Sequence, residues 1–347
     1  MSTFHRYQSE DRVVSIDKIV TSTWSNNLNN LISAHTSSIQ STTTDSNSQG
    51  NFFIEVYNQP TSSVSASVQY SVAYGHKAGS GSVDFTNDSG SFGYSATKVV
   101  YNQYRQLVFG SETENFTFST HTPDDIYIIN LERSRYKHNL KTGTLNLVLS
   151  GSGATGGTGE EKLHLTDDSI TKTGSAILTN IGRQYNIVSG TNGTQLGTSL
   201  SQVGGSASYG LFYPDAGFII LNPDAVRFKI GELSSSVSPN TNGNNSQKLY
   251  NCMKHGAYFI LDSEEKVASQ YYFTRIKNSE FNYTTNPSFV DAEGTLNFTS
   301  MIDMPRVYVT TVGLYSDNGD LLAVAKLSQP LAKDFTREAL VRVKLDY

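Results

Sequence analysis

Apolar and polar positions along this chain mostly alternate with a period of two. TSSVSASVQYSVAYG alternates at Val64, Ala66, Val68, Tyr70 and Val72, NFFIEVYN through Phe53 and Glu55, and TGTLNLVLSG at Leu145, Leu147 and Leu149. That is the period of a strand with one face buried. A second set fills the last hundred residues: AYFILD, SQYYFTRIKN, PRVYVTTVGLYS, DLLAVAKLS and EALVRVKLDY. The final strand sets Ala339, Val341, Val343 and Leu345 against Leu340, Arg342, Lys344 and Asp346. SDNGD, with a turn at Asp317 to Asp320, separates two alternating runs, and Asn-Gly there predicts a hairpin because it readily takes positive φ.

One stretch has a helical period. Ala96 to Val108 places Val100, Tyr101, Tyr104, Leu107 and Val108 three and four apart, with Ser95 as N-cap and Gly110 as stop. Ile126 to Leu131 reads as a strand that turns helical through Tyr136 and Leu140, and Phe218 to Leu221 as a buried strand clamped by Pro-Asp turns. Further short strands are expected around Leu163, Ile177 and Tyr185 to Val188. From Phe4 to Ile32 no clean period emerges, which predicts an arm, followed by a polar loop. The expected fold is mainly β: antiparallel sheets, sandwich or barrel-like, with one or two short helices packed on them. No repeat of solenoid length is present.

These readings divide the chain into an arm and polar loop (1–50), a β-rich domain with its helix near 96–108 (51–232), a linker-like loop (233–247) and a C-terminal β domain (248–347). The long polar segments 35–51, 76–94 and 231–247 are expected to be contact or clasp elements, since long irregular segments in a compact protein are usually functional or disordered.

Composition narrows the function. Only 37% of the 347 residues are hydrophobic and 16% charged, yet there are 20 Tyr and 17 Phe, too much aromatic surface for a disordered chain. The net charge of -5, with scattered Lys and Arg, gives no basic stripe for nucleic acid. Charges stand where a signal peptide has its apolar run, and no stretch approaches a membrane span, so the expectation is a chain made and kept in a cytosol. Cys252, the only cysteine, excludes an intrachain disulfide and a cysteine metal cluster and reads as a packing residue.

Candidate chemistry dissolves on inspection of its context. Gly151, Gly153 and Gly156 match G-x-G-x-x-G, but the alternating GTGEEKLHLTDDS follows, so no helix N-terminus receives a pyrophosphate. Asp124-Asp125 and Asp167-Asp168 could each supply half of a carboxylate pair, but neighbours on a strand point to opposite faces. The seven histidines show no zinc spacing, and Asp317 to Asp320 is too short for a calcium loop. No catalytic, cofactor-binding or metal residue is therefore assigned. The aromatic segment YYFTRIKNSEFNYTTNPSF has two readings, a core strand with an irregular loop or a protein–protein surface. On the second, Tyr271, Tyr272, Phe273, Arg275, Phe281, Tyr283 and Phe289 form an assembly interface.

VAYGHKAGSGSVDFTNDSGSFGYSATKVVYNQYRQLVFG, DDIYIINLERSRYKHNLKTGTLNLVLSG, YGLFYPDAGFIIL and VYVTTVGLYSDNGDLLAVAKLSQPLAKDFTREALVRVKLDY together resemble virion structural proteins of T4-like tailed phages, especially those of marine bacteria and cyanobacteria. The resemblance runs from about Val68 onward and carries no catalytic motif. It implies a non-enzymatic virion component of the baseplate or adjoining tail. Such a component is assembled in the bacterial cytoplasm in multiple copies with other tail and baseplate proteins, without cofactor, nucleic acid or membrane. A carbohydrate-binding adsorption module and a head decoration or neck protein remain as alternatives.

Overall fold

A strand whose side chains alternate between two covered faces reads as a continuous apolar run, and such runs organise the fold. The computed structural model describes residues 5–36, 53–81, 96–151, 162–171, 176–196, 208–230 and 245–346. In chain order these form β1 (Arg12–Ser22), β2 (His35–Thr36), β3 (Phe53–Tyr57), β4 (Val68–His76), α1 (Ala96–Phe109), β5 (Asp125–Leu131), β6 (Asn139–Leu140) and β7 (Asn146–Ser150). There follow β8 (Lys162–Asp167), β9 (Ile177–Thr179), β10 (Gly182–Thr191), β11 (Thr194–Gln195), β12 (Gly210–Tyr213), β13 (Phe218–Leu221), α2 (Pro223–Ile230) and α3 (Asn245–Gly256). The last elements are β14 (Tyr258–Ile260), β15 (Asp262–Ile276), β16 (Val307–Tyr315), β17 (Leu321–Lys333) and β18 (Ala339–Asp346). The fold is mainly β and antiparallel, as the alternation predicts.

The chain forms two compact units, one of residues 19–265 and one of residues 1–18 with 266–347. The larger holds a curled sheet in the order β14-β7-β8-β10-β12-β13-β5-β4-β3-β2, with β9 and β11 paired to β10. Its two faces are set by register. Tyr127, Ile129, Leu131, Ile219 and Leu221 enter one core with residues of α2 and α3, while Ile126, Ile128, Phe218 and Ile220 enter the other beneath α1. This is why IYIINL and FIIL carry no polar alternation, although the sheet is antiparallel.

The first helix forms as the spacing predicts, burying Val100, Tyr101 and Val108 and ending at Gly110, whose φ of 64° suits the residue after a helix. Leu107 instead faces outward. α1 crosses β4 at Gly75, where an added Cβ would lie 2.9 Å from the Tyr101 backbone nitrogen. Gly75→Ala should therefore push the helix off the sheet and cost about 1–3 kcal/mol, read as a lowered unfolding midpoint.

The described residues contain three helices where one or two were expected. The Pro-Asp turn after Leu221 is the start of α2, with Pro223 in its first turn and Asn222 Oδ1 accepting the Asp224 and Ala225 N–H groups (3.2 and 3.4 Å). α3 opens inside the expected 233–247 linker and buries Leu249, Tyr250, Cys252 and Met253 in the larger unit's core. The expected boundary at 248 accordingly moves to Lys266. After β5 the chain makes a single 3-10 turn at Arg133–Arg135 and then β6, not a longer helix. Most of 35–51, 76–94 and 231–247 lies outside the described residues, as does most of the Gly-rich stretch after Gly151, beyond which β8 forms a strand.

In the smaller unit β15 pairs antiparallel with β18 from Ser269↔Asp346 to Ile276↔Ala339, with β1 on the other side of β15. The expected arm is thus a strand for residues 12–22. β16 and β17 make the predicted hairpin, turned by Gly319 at φ 87° with Gly319 N–H donating to Ser316 O (3.0 Å). Its inward residues Val312, Leu314, Ala323, Ala325 and Leu327 pack on Tyr272, Val341, Val343 and Leu345, giving a small sandwich.

Candidate functional site

The most concentrated polar chemistry is a hydrogen-bonded chain in the larger unit. Tyr74 Oη on β4 donates to Asp125 Oδ2 on β5 (2.9 Å), which also accepts from Arg227 Nη2 on α2 (2.6 Å). Arg227 Nη1 reaches Asp224 Oδ1 (3.1 Å), and Asp224 Oδ2 meets His121 Nε2 (2.9 Å). The Asp125 and Arg227 side chains are only 6% and 9% exposed. Burial pushes the Tyr74 phenol well above its ordinary range, so it stays protonated as the donor. His121 with Asp224 has the form of a base and its orienting carboxylate. Yet Asp224 is shared with Arg227, and among the described residues no hydroxyl or thiol bonds His121. The network ties α2 to β4 and β5.

Each acidic pair straddles a strand end, Asp125 opening β5 and Asp167 closing β8. Asp124 is exposed and meets Lys77 Nζ at 2.8 Å, a hydrogen bond that holds its carboxyl below the usual range, while Asp125 turns inward to Arg227. Asp167 and Asp168 are both buried: Asp167 accepts the Gly143 N–H (2.8 Å), and Asp168 accepts from Asn186 N–H and Nδ2 (3.0 Å each). Burial pushes Asp167 up, with hydrogen bonds acting against it. These carboxylates fasten loops. Among the described residues no cluster of three or more His, Cys, Asp or Glu is placed to hold a metal, and no helix is long and apolar enough to cross a membrane. A shallow depression of about 500 Å³ lies beside Asn146, Lys162, His164, Asn192 and Tyr258, but Asn146 Nδ2 already donates to Asn192 Oδ1 (2.7 Å).

The seven residues of the expected interface separate by face. Tyr271, Phe273 and Arg275 share the sheet face turned away from the hairpin, in register with Lys344, Arg342 and Leu340. Tyr272 lies on the opposite face, partly buried against the sandwich core, and Phe289 is buried with Val290 and Val307. Phe289 is therefore corrected from surface to core, where it anchors the following loop, while alternation along β15 turns Tyr272 inward. Phe281 and Tyr283 are 39% and 48% exposed. Their loop is clamped by Lys333, fully buried, whose ammonium donates to Asn278 O, Asn282 Oδ1 and Asp334 O (2.9, 2.7 and 3.0 Å). All three donors are used, so Phe281, at φ 54°, is held outward on a fixed loop.

Sequence patterning did not anticipate how unevenly the two units bury their apolar residues. Among the described residues, the smaller unit leaves sixteen large hydrophobic side chains exposed and seven apolar ones buried, whereas the larger unit exposes thirteen and buries forty-six. Within the smaller unit β1 leaves Val13, Val14 and Ile16 about half exposed or more, and β17 leaves Leu322 70% and Val324 58% exposed. The signal was present as paired apolar residues, Val13-Val14 and Leu321-Leu322, where strict alternation fails.

No protein-family model, curated protein or solved structure matches this chain.

Proposed function

We propose that this chain is a non-enzymatic structural subunit whose smaller unit joins it to a large assembly. The inverted burial of that unit carries the reading. A unit whose described residues leave more large apolar side chains exposed than apolar ones fully buried offers apolar surface for a partner to cover. The buried ionic groups of the larger unit support it too, because they are committed to tying loops and a helix to the sheet. The sequence resemblance directs the proposal to a tailed-phage virion, at the baseplate or adjoining tail, with other tail proteins as partners.

Antibody against this chain should decorate tails, and the chain should co-purify with tails that lack heads. Phe281→Ala or Tyr283→Ala should lower incorporation severalfold with little change in melting temperature, because these side chains are exposed on a clamped loop. Decoration of heads alone would favour a head decoration protein, and labelling of no particle would sink the reading.

A further inference from the structure

The smaller unit carries two apolar surfaces of opposite charge. The first is the sheet face turned away from the hairpin, where Tyr271, Phe273 and Leu340 lie among Arg275, Arg342 and Lys344, the last paired with Asp346 (3.0 Å). Neither arginine is ion-paired among the described residues; Arg342 sits 5.6 Å over the Tyr271 ring, and Leu340 is 62% exposed. The second is the segment 291–304, DAEGTLNFTSMIDM, which has three carboxylates and no basic residue. Phe298, Ile302 and Met304 are 58%, 64% and 58% exposed there, and Asp291, Glu293 and Asp303 are exposed beside them. The two surfaces belong to different parts of the unit. The sheet's inner face packs on the hairpin through Val341 and Val343, whereas the acidic segment is rooted through Leu296 and Met301 on Phe289, Val290 and Val307.

We infer that these surfaces bind each other between copies, the aromatic and arginine face of one chain receiving the acidic apolar segment of the next. This rests on the assembly reading above and names the partner as a second copy. Charge complementarity is the reason: each copy presents both halves of the match, and the basic and acidic residues of the smaller unit balance, so no net repulsion opposes its self-association. A contact between two different patches is made twice across a two-fold axis in a symmetric dimer, or once per neighbour in a ring or filament.

Charge reversal tests it. The purified wild type should sediment as a concentration-dependent oligomer. Arg275→Glu with Arg342→Glu, or Glu293→Lys with Asp303→Lys, should each weaken association by about tenfold or more while leaving the melting temperature unchanged, because all four side chains are exposed. Asp291 is left intact because its carboxylate accepts the Thr295 N–H in a turn. Mixing the two reversed proteins should restore oligomers, since each then offers the surface that the other lacks. A wild type that stays monomeric at high concentration, or a mixture that stays dissociated, overturns the second-copy proposal. If that monomer still joins particles, the assembly role stands with a different partner; if it joins none, both fail.

Discussion

Arg227→Leu should cost about 3–5 kcal/mol of stability, among the largest effects of any single substitution in this chain, because it strands a buried carboxylate. Asp125 is nearly inaccessible and accepts from Arg227 Nη2 at 2.6 Å and from the Tyr74 phenol at 2.9 Å. Removing the guanidinium leaves one neutral donor to compensate a full charge, and it frees α2 from its tie to β5. Asp125→Leu alone should be comparably damaging, since it leaves the cation without its closest partner. The double substitution should cost much less than the sum, because replacing both charges by apolar groups removes the desolvation penalty together with the attraction. Denaturant unfolding of the four proteins in this cycle gives the coupling directly. Additive losses would mean that the ion pair is not what holds the helix.

Deleting Glu338–Tyr347 should unfold the smaller unit and leave the larger one intact. β18 supplies eight registered pairs to β15, and its Val341 and Val343 are two of the seven apolar residues buried among the described residues of the smaller unit. Each such side chain contributes about 1.5–3 kcal/mol of burial, and a unit this small has few others to rely on. A two-stranded hairpin without the facing sheet is marginal in water, so β16 and β17 should become protease-sensitive throughout. The cores of the larger unit contain no residue of β18, and its unfolding transition should persist. A truncated chain whose hairpin remained protected would show that the sandwich is not the folding unit.

β16, β17 and β18 were legible because each sets an apolar face on the sandwich core against an outward face. β18 and the hairpin at Asp317 to Asp320 fall where alternation and the Asn-Gly turn predict, although Gly319 alone takes the positive φ. β1 was not legible for the opposite reason. With Val13, Val14, Ile16, Ile19 and Val20 all exposed, apolar residues occur on both faces and the period of two disappears. The start of α2 was hidden because Asn-Pro-Asp serves equally as a turn and as a helix N-terminus, and what decides is the apolar Ala225, Val226 and Ile230 that follow. α3 begins inside a polar stretch that composition marks as linker, and only its Leu249, Tyr250, Cys252 and Met253 spacing signals a buried face.

The candidate surface was half legible. Aromatic crowding pointed to 271–289, but composition cannot say which side of a strand a residue occupies. One-dimensional alternation would have placed Tyr271 and Phe273 together and Tyr272 opposite, as the register does. Arg342 and Leu340 could not be joined to them from the sequence, because nothing local pairs β15 with a strand nearly seventy residues later.

Cys252, buried in α3 among the core residues of the larger unit, is the chain's only thiol. A water-soluble disulfide reagent can reach it only when α3 lifts or the unit opens, so its labelling rate is a built-in clock for native-state opening. Under conditions where reclosing outruns reaction, the ratio of that rate to the rate in denaturant gives the free energy of the opening that exposes α3. The clock needs no engineered probe and can be read on the isolated chain and again on the chain held in its assembly. Slower labelling in the assembled state would show that association also restrains a helix outside the proposed contact.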